Sequence, residues 1–284
     1  MRRKFKINKF FVKNPFLDIK GLIILFLIWN ALKLFLIGAD PIIQILNALL
    51  SIGIYFDIED KDIKLNRIGV TFFTGNILFA IIFIRSLVLN STLDKFYYLL
   101  LPFGIISICL IAKNIGQIKY FKNIILISLL LPLRRLFFYI ANPILLFFTK
   151  YLTFFSLLCL GADPILIDRS IFLGDSELVI SDGCGGADNM FFAFSAVIIF
   201  KIIFSLKKNL NLSIIYLITF LIPLFMNVIR NTLLALIITM NPNYRDKLFT
   251  FFHDSYGSLL FSFISLVLIS LIYFNFLNKE LEEI

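Results

Sequence analysis

Long apolar stretches alternate with short polar or basic ones along nearly the whole chain. A membrane helix needs roughly 20 apolar residues to cross a hydrocarbon core about 30 Å thick, and stretches near that length recur without an intervening soluble domain. The pattern predicts eight membrane segments, at residues 19–37, 69–89, 96–112, 119–133, 136–160, 187–206, 212–240 and 254–277. We therefore expect an all-α, polytopic integral membrane protein that forms one domain over residues 1–284.

Two stretches between the predicted helices show weaker patterns. Residues 42–55 look amphipathic and precede a charged stretch at 57–67, so we expect them to lie along the outer membrane surface. In the loop 161–183, the run 177–181 alternates polar and apolar residues, which predicts a short strand. This strand would lead directly to Cys184.

The sequence Gly-Ala-Asp-Pro-Ile occurs twice, at 38–42 and at 161–165, each time after a predicted membrane segment. It could be the remnant of a duplication, although no longer repeat surrounds it. Glycine and Asp-Pro are also common where helices end, and we favour this local explanation.

Composition supports the membrane assignment. Hydrophobic residues make up 60% of the 284 positions, charged residues make up only 16%, and the mean hydropathy is +0.95, which leaves too little polar surface for a soluble globule. The net charge of +9 could indicate nucleic-acid binding, but the basic residues adjoin membrane segments. We expect membrane lipids as the surroundings and no nucleic-acid partner.

The basic residues also predict how the chain is oriented. Positive-inside counting places four basic groups in the cytoplasm: the leader before residue 19, Arg134 with Arg135, Lys207 with Lys208, and Lys279. Eight segments then bring both termini to the cytoplasmic side of the cell membrane. The loops 161–183 and 241–253 fall on the extracytoplasmic side.

A candidate nucleophile stands at the start of the sixth segment. Cys184 lies in the polar, glycine-rich run Ser181-Asp182-Gly183-Cys184-Gly185-Gly186-Ala187-Asp188-Asn189. A thiol in the first turn of a helix meets unpaired backbone N–H groups, which favour the thiolate that attacks. Gly185 and Gly186 would leave space for a substrate backbone to approach. Cys184 could instead be only a small side chain in a tight turn.

Two further residues can reach the same face in this topology. His253, the only histidine, opens the eighth segment and could exchange protons with the thiol and a leaving amine. Arg230 lies within the seventh segment, where an arginine is costly and usually marks a site or a buried partner. It could stabilise an oxyanion or form a structural ion pair. The possible polar partners of these groups are Asp182, Asp188, Asn227, Asn231 and Asp254.

The depth of Arg230 poses a geometric question. It precedes Met240, the end of the predicted helix, by ten residues, or about 15 Å at 1.5 Å per residue. Either this helix projects beyond the bilayer, or the turn that carries Cys184 dips inward to meet the arginine. The sequence leaves both arrangements open.

Three short motifs resemble the exosortase/archaeosortase family: Cys184-Gly185-Gly186, Asn227-Val228-Ile229-Arg230 and His253-Asp254-Ser255-Tyr256-Gly257. The resemblance covers chiefly residues 141–277, while residues 19–140 agree only in hydropathy. Family members often have Cys-Ser-Gly where this chain has Cys-Gly-Gly. The resemblance implies a membrane-embedded cysteine transpeptidase or protease, with Cys184 as nucleophile, His253 as acid and base, and Arg230 stabilising the intermediate.

The resemblance also implies a substrate class. Such substrates are proteins whose carboxyl-terminal sorting signal combines a recognition motif, a transmembrane helix and a basic tail. The processed protein would pass to water, a lipid or an envelope polymer, and neither a cofactor nor a metal is implied. Two other classes stay open: a transporter or lipid flippase with an Arg/Asp/His-lined pathway, and a scaffold subunit of an export complex.

Overall fold

A computed structural model describes residues 19–59, 61, 69–112, 119–254 and 256–282, apart from the side chains of residues 209, 243, 254, 256 and 258. These residues form nine α-helices and one three-stranded sheet. The helices are α1 (Ile19–Leu36), α2 (Pro41–Glu59), α3 (Val70–Val88), α4 (Tyr97–Ala112), α5 (Lys122–Cys159), α6 (Ala187–Ile203), α7 (Asn209–Ile237), α8 (Pro242–Asp254) and α9 (Tyr256–Glu282). The predicted all-α membrane fold is confirmed.

Six helical stretches of the described residues are long and apolar enough to cross a membrane, and they fall in α1, α2, α3, α5, α7 and α9. The apolar helix α4 is shorter. The chain divides into two compact units, with the boundary between Leu131 and Pro132. Each unit is described by itself.

In the first unit, α2 returns antiparallel along α1. Lys20 Nζ, at the start of α1, donates to the Glu59 carbonyl at the end of α2 (2.9 Å), and Asn30 Nδ2 donates to Asn47 Oδ1 (2.6 Å). The expectation that residues 42–55 lie apart along the outer surface is therefore wrong. The stripe that looks amphipathic in the sequence is the buried face of a helix of 19 residues, long enough to span a bilayer.

One continuous helix, α5, replaces the two segments predicted at 119–133 and 136–160. Its 38 residues span about 57 Å at 1.5 Å per residue. Pro132 and Pro143 lie inside it, as membrane helices allow when neighbouring groups satisfy the freed carbonyls. Arg134, assigned by its charge to a cytoplasmic loop, lies within this helix because its charge is compensated by Asp188 at 2.8 Å.

The repeated Gly-Ala-Asp-Pro-Ile sequence ends a helix both times. Gly38 and Gly161 adopt left-handed φ angles of +66° and +78°. In both cases the N–H of the next residue donates to the carbonyl five residues earlier, at 3.0 and 3.1 Å, which is the Schellman arrangement of a helix end. One copy leads into α2 and the other into a strand, so the similarity is local.

The loop after α5 forms an antiparallel meander of β1 (Pro164–Ile167), β2 (Ser170–Leu173) and β3 (Ser176–Val179). Ser176 Oγ donates to the Ile238 carbonyl (3.1 Å), which ties β3 to the end of α7. One buried apolar cluster joins the sheet, α5, α7 and Cys184; its members are Leu146, Leu157, Ile171, Leu173, Leu178, Ile180, Cys184, Leu234 and Ala235. The sheet thus brings Cys184 into the core of the second unit.

Glu280, near the end of α9, binds the segment that joins α6 to α7. Its carboxylate accepts from the backbone N–H groups of Lys207 (2.7 Å) and Lys208 (3.1 Å), which join α6 to α7. Near the beginnings of α6 and α9, Ser262 Oγ donates to Asn189 Oδ1 (2.6 Å). Helices α6 and α9 therefore run in the same direction, with the two lysines at the end away from Cys184.

Candidate active site

Cys184 lies in a short 3₁₀ turn, Asp182–Gly185, here called the cysteine turn, between β3 and α6. Its backbone N–H donates to the Ser181 carbonyl at 2.8 Å, and the residue is 1% exposed. The sequence pattern places the thiol in the first turn of the following helix. The structure differs because Gly186 takes a left-handed φ of +81°, which ends the cysteine turn before α6 begins.

Two amides from α7 hold the cysteine turn in place. Asn227 Nδ2 and Asn231 Nδ2 both donate to the Cys184 carbonyl oxygen, at 2.6 and 3.1 Å. Residues four apart lie on the same face of a helix, which is why both amides reach one oxygen. Both side chains are 0% exposed, and leaving a buried polar group without its partner costs about 1–3 kcal/mol. The turn is therefore fixed against α7.

Gly185 and Gly186 let two helices close on the cysteine turn. A Cβ at Gly185 would lie 2.4 Å from Asn142 Oδ1, and one at Gly186 would lie 2.8 Å from Asn227 Cγ. Thr149 Oγ1 of α5 also donates to the Gly185 carbonyl (3.3 Å). The expected space for a substrate backbone is thus occupied by protein, because α5 and α7 pack directly on the glycines.

Arg230 lies on the same turn of α7 as the two asparagines and is 4% exposed. Its Nε donates to the Phe252 carbonyl and its Nη2 donates to the His253 carbonyl, both at 3.0 Å. These carbonyls belong to the last turn of α8, where helical partners are missing and the helix dipole is negative. Arg230 therefore caps α8 and fixes the backbone of His253.

The His253 ring contacts a phenylalanine that packs against the apolar cluster containing Cys184. It stacks on Phe249, with ring centroids 5.0 Å apart and an interplanar angle of 14°, and both Phe249 and Phe252 pack against that cluster. The sequence pattern places His253 at the start of the last membrane helix. It lies instead in the last turn of α8, because residues 242–254 form a separate helix before α9.

These contacts show at which level of α7 the cysteine turn lies. Arg230 precedes Ile237, the last residue of α7, by seven residues, or about 10 Å along the helix. The cysteine turn meets α7 at Asn227 and Asn231, on either side of the arginine. The cysteine turn therefore lies at the level of Arg230, as both arrangements that the sequence leaves open require.

The acidic candidates of the cysteine-containing run pair with other arginines. Asp182 binds Arg169 in the exposed loop at 3.0 Å, and Asp188 binds Arg134 of α5 at 2.8 Å. The side chain of Asp254 lies outside the described ones. Arg134 was not predicted as a neighbour of the site, although an arginine inside a long apolar stretch usually marks a functional site or a buried partner.

We expect the Arg134–Asp188 pair to hold the first turn of α6, and so the cysteine turn, against α5. Arg134→Glu should lower the melting temperature of the purified protein, because two carboxylates then meet in a site where the side chains are 11% and 27% exposed. Breaking such a pair costs up to about 3 kcal/mol. The exchanged pair Arg134→Glu/Asp188→Arg should recover much of the loss.

A matched control is Arg169→Glu, which disrupts a pair whose side chains are 65% and 67% exposed. It should change the melting temperature little, since exposed pairs contribute about 0–1 kcal/mol. If the exchanged pair is no more stable than Arg134→Glu alone, the pair does not hold α5 to α6.

The fold and the site together define a class: a multi-pass membrane protein whose buried thiol is tied to a helix that also carries an arginine bound to the backbone of a histidine. The family model of the transmembrane exosortases matches residues 22–270, and the chain belongs to this family. The match extends well into the amino-terminal half, where the motifs gave no resemblance. Neither the curated proteins nor the solved structures include a match to the chain.

Proposed function

We propose that the protein is a membrane-embedded cysteine transpeptidase or protease that cleaves carboxyl-terminal sorting signals of other proteins. Membership of the exosortase family supports a sortase-like transpeptidase role in general. The contacts that support the proposal are made by one turn of α7. There Asn227 and Asn231 hold the backbone of Cys184, and Arg230 holds the backbone of His253. A thiol and an imidazole are the pair that nucleophilic acyl transfer requires.

In the proposed reaction, the Cys184 thiolate attacks the carbonyl carbon of the scissile peptide bond. The C–S bond forms, the C–N bond breaks, and His253 gives a proton to the leaving amine. A water, lipid or polymer nucleophile then attacks the thioester and loses its proton to His253, the C–S bond breaks, and the Cys184 thiolate is regenerated. Arg230 stabilises the oxyanion of the tetrahedral intermediates.

We place the site at the extracytoplasmic face of the cell membrane. Lys207 and Lys208 lie at the end of the second unit away from Cys184, next to the end of α9, and basic residues at membrane helix ends favour the cytoplasm. The carboxyl terminus then lies in the cytoplasm, and we expect the same of the amino terminus because of its basic leader. A substrate helix with a basic tail would take the same orientation and bring its recognition motif to the level of Cys184.

A co-expression assay tests the proposal. The reporter is a protein that ends in a recognition motif, a membrane helix and a basic tail, taken from proteins of the same genome that share such an ending. It should be shortened in membranes that contain this protein and stay at full length in membranes that lack it. A matched reporter without the basic tail, which sets its orientation, should be processed more slowly. Equal reporter lengths with and without the protein would refute the proposal.

A further inference from the structure

Ser181 occupies the N-cap position of the cysteine turn, but its hydroxyl is turned to the thiol. Its backbone angles, φ −73° and ψ 171°, are the extended ones usual for an N-cap residue, whose side-chain oxygen normally accepts from an N–H two or three residues on. Among the residues that the structure describes, this side chain makes no such capping bond. Ser181 Oγ lies instead 3.4 Å from Cys184 Sγ.

The backbone groups of Ser181 and Cys184 are hydrogen-bonded to their neighbours. The Ser181 N–H donates to the Val179 carbonyl (3.0 Å), and the Cys184 N–H donates to the Ser181 carbonyl (2.8 Å). The Cys184 carbonyl is in turn held by Asn227 and Asn231. The backbone that carries the hydroxyl and the sulfur is therefore held on both sides of the turn.

Ionisation of Cys184 decides which of the two atoms is the donor. A hydroxyl and a thiol can each donate to the other, but a thiolate has no proton to donate, so the Ser181 hydroxyl must then be the donor. Hydrogen bonds to an ionised acceptor are roughly twice as strong as those between neutral groups. A hydrogen bond donated by this hydroxyl to the sulfur would therefore favour the thiolate over the thiol.

We propose that Ser181 is a further catalytic residue, whose hydroxyl donates to Cys184 Sγ and stabilises the thiolate that attacks the substrate. The catalytic part of this inference rests on the proposed function. Ser181 keeps its proton throughout: the hydrogen bond forms when the thiol ionises and is released when the sulfur bonds to the acyl carbon.

The elements around the cysteine turn also carry charged or titratable residues. They are Arg134 and Lys150 of α5, Arg169 and Asp182 of the loop, Asp188 of α6, Arg230 of α7 and His253 of α8. Replacing Ser181 by alanine or threonine alters none of these charges. A change in thiol reactivity in such variants therefore reports the hydroxyl.

The test is the pH dependence of the rate at which a small pyridyl disulfide converts Cys184 into a mixed disulfide. The rate is read by mass spectrometry on the peptide that contains Cys184, so that Cys109 and Cys159 do not contribute. Loss of a hydrogen bond to a charged group should lower the thiolate fraction of Ser181→Ala about tenfold at neutral pH. The remaining thiolate is more basic and should react about threefold faster, since the Brønsted coefficient is about 0.4–0.5.

The two pH profiles should therefore cross. Ser181→Ala should react about threefold more slowly than the native protein at neutral pH, and about threefold faster at a pH where both thiols are ionised. If the serine had only a structural role, replacing it by alanine would change the reaction rate by the same factor at every pH. Ser181→Thr keeps the hydroxyl, suits extended backbone, and should restore the native profile.

A matched control removes another hydroxyl of the same loop. Ser176→Ala loses the bond to the Ile238 carbonyl and should keep the native profile. In the reporter assay, Ser181→Ala should also slow processing at neutral pH, because a smaller fraction of the thiol is ionised. Parallel profiles without a crossing would overturn the role of Ser181, whereas crossing profiles together with an unprocessed reporter would contradict the proposed function instead.

Discussion

Cys184→Ala should abolish processing of the reporter, with a loss of more than about 10³-fold in rate. The acyl group then has no sulfur to which it can be transferred, while the backbone carbonyl that Asn227 and Asn231 hold is kept. Alanine is also small enough for the buried position, so the protein should still insert into the membrane. The measurement is the time course of reporter shortening in membranes with matched amounts of protein.

The two other cysteines provide matched controls. Cys109 is buried in α4 and Cys159 is exposed at the end of α5, and alanine at either position should leave the processing rate unchanged. Normal processing by Cys184→Ala would rule out Cys184 as the nucleophile.

Arg230→Gln should reduce reporter processing by about 10²–10³-fold, the usual loss when a donor to a developing oxyanion is removed. The variant also leaves the Phe252 and His253 carbonyls without the charged fork that caps α8. Arg230→Lys should recover only part of the activity, because an ammonium group cannot donate to both carbonyls with the geometry of a guanidinium. The control is Arg245→Gln, on the exposed part of α8 next to Asp246, which should process normally.

A double-variant cycle separates the two roles open to Arg230. If the arginine acts only by fixing His253, then Arg230→Gln/His253→Gln should be no slower than His253→Gln alone. If it also stabilises the oxyanion, the double variant should be slower still by about tenfold or more. A single Arg230→Gln variant that processes at the native rate would exclude both roles.

Hydropathy located most of the helices to within about five residues, because lipid-exposed backbone can satisfy its own polar groups only as a helix or a closed barrel. It failed at α5, which the pattern divides at Arg134 and Arg135. The charge of Arg134 is compensated by Asp188, 54 residues away, and a local window cannot detect such a distant partner. It also failed at α2, whose apolar stripe fits a surface helix as well as a helix packed on α1.

Helix α8 and the first two strands of the sheet were missed although their signals are present in the sequence, whereas the short strand predicted at 177–181 is confirmed as β3 (Ser176–Val179). Helix α8 has too many charged residues for a hydropathy search, yet Asn241 followed by Pro242 is a helix start signal. The sheet needed the two-residue turns at 168–169 and 174–175 to be recognised between short apolar runs. Both elements position the candidate site, since α8 carries His253 and β3 leads to the cysteine turn.

The candidate residues themselves could be named from the sequence, because thiol, arginine and histidine differ in chemistry from the apolar segments around them. The contacts that these residues make could not be predicted from the sequence. Asn142 lies 42 positions before Cys184, and its closeness to Gly185 follows only from the packing of α5. In the sequence, Ser181 is an ordinary candidate for an N-cap residue. Only the structure shows that its side chain points towards the sulfur of Cys184.

Burial of Cys184 would also set the lifetime of a thioester formed on it. The sulfur lies in an apolar cluster and the residue is 1% exposed, so bulk water would reach the ester carbon slowly. In the proposed reaction, hydrolysis would then be slower than the abundance of water suggests. The processed protein would either be released by hydrolysis or be transferred to an acceptor. The ratio of these two products would depend more on how often an acceptor molecule occupies the site than on the nucleophilicity of that acceptor.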